Sequence, residues 1–117
     1  MLLILFVTSC SSLKPPQALA LSQEAAEGKK LFNSYCSSCH GTNGDTVIVG
    51  PSLAGIATRG SQRIDGMDAG GYIKDSILEP RAYVVEGFPD NLMPPNFKDQ
   101  LANEDIDSIV AYLLTLK

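Results

Sequence analysis

Apolar residues recur at helical spacing in separate stretches of the chain, with long irregular stretches between them. The first stretch predicts a helix over about residues 23–35, with Ser22 as its N-cap and Phe32 on its apolar face. A second, shorter period predicts a helix over about residues 71–79 that must stop before Pro80, because proline disfavours helical backbone in the residue before it.

The last stretch has an apolar period of i, i+3, i+4 and i+7, with acidic residues where the first turn begins. This pattern predicts a helix over about residues 103–116, capped by Asn103. Its apolar positions are Ile106, Ile109, Val110 and Leu113. A brief β-prone run at 46–49 is too short to indicate a sheet, so the predicted fold class is all-α.

The two stretches between the helices are rich in residues that break regular structure. Eight glycines occur from Gly41 to Gly71, and four prolines occur in residues 80–102. Loops of this length are unusual in a compact domain unless they serve a function, and these are predicted to wrap around something other than themselves. Gly28, by contrast, falls inside a predicted helix, where it costs about 1 kcal/mol relative to Ala. It indicates that another backbone packs closely there.

Composition limits the classes of partner and points to a prosthetic group. The 117 residues carry a formal charge of −4, and the nine Lys and Arg residues are dispersed, so nucleic acid is not an expected partner. Trp is absent and only eight residues are aromatic. The side chains therefore supply few large pieces for a core.

The N-terminal residues predict export and attachment to a membrane. Residues 2–7 are apolar but too few to span a bilayer. Val7-Thr8-Ser9-Cys10 resembles the lipobox of bacterial lipoproteins. That resemblance implies a leader over residues 1–9, a lipid-modified Cys10, and a tether over residues 10–22. The expected location is the periplasm or the outer face of the cytoplasmic membrane; the alternative is a stray cysteine in a signal remnant.

Cys36-Ser37-Ser38-Cys39-His40 is a C-x-x-C-H motif, the attachment signature of c-type haem. Two thiols at this spacing can form thioethers with the two vinyl groups of one porphyrin, and the adjacent imidazole can then ligate the iron. A redox-active dithiol would need a βαβ context, and a structural zinc site would need four protein ligands. The chain has one His and no second C-x-x-C pair, so both alternatives lack supporting residues.

The iron would have one axial position left after the ring and His40. Because no second His exists, the candidates are Met67 and Met93. Met93 is preferred because Pro94 and Pro95 stiffen the backbone that presents it. A methionine that merely fills a gap in the core is the alternative. His and Met together would close both axial positions and favour electron transfer.

These residues resemble the class I cytochromes c, and the resemblance extends over about residues 24–117. Gly28 and Phe32 are similar to the family's first-helix G-x-x-x-F, and Ile109 and Tyr112 stand at the matching positions of its last helix. The resemblance implies a cytochrome c fold in residues 23–117, with three main helices and long loops wrapped around one covalent haem. It also implies that the C-terminal helix crosses the first helix at Gly28.

The resemblance also implies roles for the loop that follows the motif. Gly50-Pro51-Ser52-Leu53 is similar to the family's G-P-x-L, in which the proline carbonyl accepts a hydrogen bond from the iron-ligating imidazole. Pro51 and Leu53 are therefore expected to contact the cofactor. Arg59 and Arg63 are candidates to pair with the haem propionates, and solvated arginines are the alternative.

The predicted function is single-electron transfer in a respiratory or photosynthetic chain. The expected donor is a quinol-oxidising complex or a dehydrogenase, and the expected acceptor is a terminal oxidase. One alternative is a permanent haem subunit of a larger oxidoreductase. Another is a haem sensor or peroxidase with a labile or absent sixth ligand.

Overall fold

Five α-helices follow one another in the computed structural model, which describes residues 20–117. They are α1 (Gln23–Tyr35), α2 (Ile56–Arg59), α3 (Ala69–Leu78), α4 (Phe97–Gln100) and α5 (Asn103–Leu113), with a 3-10 turn at Gly60–Gln62. Over the same residues β-type backbone pairing is limited to one isolated bridge between His40 and Val47. The predicted leader, Cys10 and most of the predicted tether lie outside the described residues.

Helix α1 has the predicted bounds and the predicted N-cap. The Ser22 hydroxyl oxygen accepts a hydrogen bond from the backbone N–H of Ala25 at 3.1 Å, which satisfies one of the free donors of the first turn. At the other end, the Cys36 N–H donates to the Phe32 carbonyl. Helix α1 therefore ends where the C-x-x-C-H motif begins.

Helices α1 and α5 cross with their backbones in contact, as Gly28 indicated. A Cβ atom at Gly28 would overlap the backbone carbonyl of Ser108 and lie 3.0 Å from the Ile109 nitrogen. One turn further along, the Phe32 and Tyr112 rings pack with centroids 5.5 Å apart. The crossing fixes the direction in which α1 delivers the motif.

Helices α3 and α5 differ from their predicted bounds at the ends. Helix α3 begins two residues earlier than predicted, because the Asp68 carboxylate accepts from the Gly71 N–H at 2.7 Å and caps it. Helix α5 starts at Asn103 after Ala102, whose N–H donates to the Asp105 carboxylate at 3.1 Å. Asn103 is therefore not the cap. Helix α5 also ends at Leu113 instead of continuing to residue 116, since the last residues form tighter turns.

The predicted loops contain short helices that the periodicity does not reveal. Helices α2 and α4 have four residues each, which is barely one turn and too short to show a period. Each buries one large apolar side chain, Ile56 in α2 and Phe97 in α4. Both side chains join the core formed by α1, α3 and α5. No helix within residues 20–117 is long and apolar enough to cross a membrane.

Candidate haem site

The C-x-x-C-H motif forms a turn at the end of α1. The Cys39 and His40 backbone N–H groups both donate to the Cys36 carbonyl, at 3.1 and 3.0 Å. The turn brings both cysteine side chains and the imidazole to one cavity, and Cys36 and Cys39 are not joined in a disulfide. The three predicted attachment and ligand residues thus lie together.

The cavity has a volume of about 370 Å³ and falls within the range of small-molecule and cofactor sites. All five helices contribute apolar side chains to its wall. They include Phe32, Ile56, Ile73, Ile77, Phe97, Ile109 and Leu113. The long loops form the rest of the cavity wall, so much of the core lines this cavity.

A hydrogen bond to the backbone of the next loop orients His40. The imidazole Nδ1 lies 2.8 Å from the Pro51 carbonyl oxygen. A carbonyl oxygen can only accept, so Nδ1 carries the hydrogen and Nε2 keeps its lone pair for a metal. Such a bond fixes the plane of the ring and increases its basicity as a ligand.

Gly50 makes the approach of this loop possible. A Cβ atom at Gly50 would lie 2.5 Å from Cε1 and 2.9 Å from Nδ1 of His40. The backbone is tied down on both sides, since the Gly50 N–H donates to Cys39 at 2.9 Å and the Leu53 N–H donates to Gly41 at 2.8 Å. Pro51 and Leu53 both line the cavity, where the resemblance placed them.

The two candidate arginines occupy different environments, although both line the cavity. Arg59 donates to two backbone carbonyls of the loop, those of Ser52 (3.0 Å) and Ala54. Arg63 lies with its guanidinium carbon 5.9 Å from the centroid of the Tyr83 ring, and its buried Nε has no hydrogen-bond partner within residues 20–117. The Arg59 guanidinium therefore already donates to the loop backbone, whereas the buried Nε–H of Arg63 remains available to donate.

The two candidate methionines are separated by the fold. Met93 is half-buried and lines the cavity that also contains His40. Met67 does not line the cavity; it packs against the core beside Gly71. Among the described residues, Met93 is thus the methionine that shares the cavity with the imidazole.

The site also includes aromatic residues that the sequence reasoning did not assign. Tyr72 and Tyr83 line the cavity and pack edge to face, with ring centroids 5.5 Å apart. Phe88 lines it as well. A signal was present in the sequence, because large aromatic residues in a proline-rich loop such as 80–102 need an apolar surface to cover.

The residues present fit a covalently attached haem. Burial, and after it the neighbouring Cys39, raises the pKa of the Cys36 thiol to about 11. Burial at this position disfavours the charged thiolate, and a thioether, which has no ionised form, meets no such penalty there. The apolar walls suit a porphyrin face, and the free Nε of Arg63 suits a carboxylate. When bound, haem iron supplies a reversible one-electron couple.

The fold and this cavity define a small all-α protein that encloses one prosthetic group against a C-x-x-C-H turn. The family model described as "Cytochrome c" matches residues 25–117. The chain therefore belongs to the cytochrome c family: it is a class I monohaem c-type cytochrome that binds haem c covalently.

Relatives with curated descriptions agree in class. The chain is 31% identical over 101 residues to cytochrome c-554(547) of Halothiobacillus neapolitanus, covering 80% of this chain and 98% of the relative. It is 28% identical over 95 residues to cytochrome c6 of a Synechocystis species, covering 81% of this chain and 68% of the relative. An engineered cytochrome c from Rhodothermus marinus, bound to a carbene intermediate, has the same fold. Its TM-score is 0.50 at 23% identity, covering 88% of this chain and 89% of that one.

One relative is a much larger protein. The quinohemoprotein alcohol dehydrogenase ADH-IIG of Pseudomonas putida is 31% identical over 104 residues, which is 86% of this chain but 12% of the dehydrogenase. A stretch of 46 residues, 39% of this chain, is 46% identical to the cytochrome c-553-like protein of Synechocystis and covers 43% of that protein. Chains of this kind thus occur alone and as parts of longer proteins.

Proposed function

We propose that this cytochrome is a single-electron carrier whose haem is joined to Cys36 and Cys39 and whose iron is ligated by His40 and Met93. One observation carries the proposal: the imidazole and the Met93 side chain line the same cavity, while Met67 lies outside it. His40 and Met93 would hold the iron from the protein side, and iron held by both residues would offer no place to oxygen or peroxide. This arrangement favours electron transfer over oxygen chemistry.

The protein's residues contribute orientation and electrostatics. Pro51 holds the His40 ring in one tautomer, and Pro94 and Pro95 limit the backbone freedom of the segment that presents Met93. Ligands that keep their place in both oxidation states require little rearrangement for each electron. Arg63 is the better-placed candidate for a propionate, since Arg59 already donates to two carbonyls.

The proposed setting is the outer face of the cytoplasmic membrane or the periplasm, with attachment through a lipid on Cys10. A quinol-oxidising complex or a dehydrogenase would supply the electron, and a terminal oxidase would accept it. The second candidate is a permanent haem subunit of an oxidoreductase. This second candidate is supported by the similarity of the chain to part of a quinohemoprotein alcohol dehydrogenase. Fixed-stoichiometry co-purification after detergent extraction would identify the subunit, whereas a carrier would separate.

Replacement of the two methionines tests the ligand assignment. Met93→Ala is expected to remove the low-spin Met–iron signature from the optical spectrum and to lower the midpoint potential, while haem remains covalently attached. Met67→Ala is the matched control, and it is expected to keep both the spectrum and the potential. The measurement is an optical redox titration of each holoprotein.

The opposite pattern would refute the assignment. If Met93→Ala kept the wild-type spectrum, the sixth ligand would be another group. Rapid binding of carbon monoxide by the reduced wild-type protein would instead indicate an open or labile position, as expected for a sensor or peroxidase.

A further inference from the structure

Exposed apolar side chains concentrate around the haem cavity. Seven large apolar residues are exposed within residues 20–117, and five of them lie at the cavity or beside it. These five are Tyr35, Val49 and Leu92, which line the cavity, Val47, which lines a smaller adjoining cavity, and Ile48 between the two valines. The other two, Leu21 and Leu114, line neither cavity. Single exposed apolar residues are ordinary, but several of them around one functional site indicate an interaction surface.

The apolar ridge, defined as residues 47–49, is held in place by the haem-attachment segment. Val47 forms the antiparallel bridge with His40, and the Val49 N–H donates to the Cys39 carbonyl at 3.3 Å. Val47, Ile48 and Val49 are nevertheless 58%, 52% and 43% exposed. The backbone thus fixes three β-branched side chains in solvent directly beside the motif.

The exposed residues that line the cavity carry almost no charge. They are Ser34, Tyr35, Ser38, Val49, Pro89, Asp90, Leu92, Pro94 and Gln100. Asp90 is the single ionisable carboxylate among them, and none is Lys or Arg. Arg59 and Arg63 also line the cavity but are half-buried, and exposed Asp45 lines the adjoining cavity. These few charges have mixed sign, so they offer no patch of one sign to a partner that docks by charge. The centre of such a contact must instead be apolar on both sides, as the cores of protein interfaces are.

We propose that the apolar ridge, together with Tyr35 and Leu92, is the docking surface for an uncharged, apolar contact face on a redox-partner protein. This inference rests on the proposed function, because an electron carrier must bring its cofactor cavity close to the partner's redox centre. The ridge adjoins that cavity, so a protein seated on it is close enough to exchange an electron. A lipid surface on the same face would keep the partner away.

Electron self-exchange between two molecules of the holoprotein provides the test, since a second copy presents the same apolar face. The rate is measured by NMR line broadening in half-reduced samples at about 0.15 M ionic strength, where charges far from the contact are largely screened. Ile48→Asp is expected to slow self-exchange about ten-fold, because each encounter would bury a carboxylate. Ile48→Thr removes apolar surface without adding charge and is expected to slow it about three-fold.

Leu21→Asp is the matched control. It makes the same change in net charge at an exposed apolar residue that lines neither cavity, and it is expected to change the rate less than about two-fold. Ile48 itself lines neither cavity, so both aspartate variants should keep the wild-type spectrum and midpoint potential. Equal rates for Ile48→Asp and Leu21→Asp would overturn the docking surface.

Two measurements distinguish a failure of the docking surface from a failure of the proposed electron transfer, and protein docking from lipid binding. A protein without a reversible one-electron couple would refute the proposed function itself, whereas an intact couple with rates insensitive to Ile48 would refute the docking surface alone. Binding of the full chain to neutral phosphatidylcholine vesicles is expected to be the same for wild type and Ile48→Asp. Weaker vesicle binding by Ile48→Asp with unchanged self-exchange would show that the ridge contacts lipid.

Discussion

Replacing Gly28 with alanine would test the helix crossing on which the haem site depends. The added Cβ atom would overlap the Ser108 carbonyl and lie 3.0 Å from the Ile109 nitrogen. Both obstacles are backbone atoms of α5, so no side-chain rotation can relieve the overlap. The α1 and α5 backbones would have to separate, and the Phe32–Tyr112 ring contact at 5.5 Å would loosen with them.

Two opposing effects set the magnitude. Alanine is favoured over glycine inside a helix by about 1 kcal/mol. Overpacking of a close-packed interior costs about 1–3 kcal/mol, and the upper end applies to Gly28 because rigid backbone is the obstacle. We therefore expect Gly28→Ala to lower the free energy of unfolding by about 2 kcal/mol. In a domain of about 100 residues this corresponds to a decrease in Tm of about 10 °C.

Guanidinium denaturation of the holoprotein, followed by far-ultraviolet circular dichroism, measures the effect. Gly70→Ala is the matched control, because a Cβ atom at Gly70 in α3 would meet its nearest neighbours at 3.6 Å, an ordinary contact distance. It is expected to leave stability unchanged or to raise it slightly. A Gly28→Ala protein as stable as the Gly70→Ala protein would show that the close crossing is not required.

Three further substitutions probe the cofactor loop and the start of α1. Gly50→Ala would place a Cβ atom 2.5 Å from His40 Cε1, so the imidazole ring must turn. The expected result is a changed optical spectrum with haem still attached. An unchanged spectrum would contradict the tight fit between Gly50 and His40. Arg59→Met removes two hydrogen bonds to loop carbonyls and is expected to lower the free energy of unfolding in denaturant by about 2 kcal/mol. Arg81→Met, the control at an exposed position, should lower it by less than about 0.5 kcal/mol. Ser22→Ala removes the N-cap of α1 and is expected to cost about 1 kcal/mol; no measurable loss would mean that the cap contributes little.

Much of the fold could be predicted from local sequence patterns. Helix α1 has its predicted bounds because a serine cap, an apolar period and the following motif all specify the same limits. Ile106, Ile109 and Leu113 in α5 are buried as the period predicted. Helices α2 and α4 could not be predicted, because four residues are too few to show a helical period. Their helical state depends on the burial of Ile56 and Phe97 in the core.

The chemistry of attachment was fixed by the sequence, since the C-x-x-C-H spacing alone specifies two thiols and an imidazole for one ring. The tertiary structure decides which methionine shares the cavity with that imidazole, and which arginine has a free donor. Met67 and Met93 have the same chemistry, and Arg59 and Arg63 are four residues apart; only long-range packing distinguishes them. The nearly uncharged set of exposed residues that line the cavity likewise comes from positions far apart in the chain, because the fold brings the C-terminal end of α1, Val49 and the loop before Met93 to one cavity.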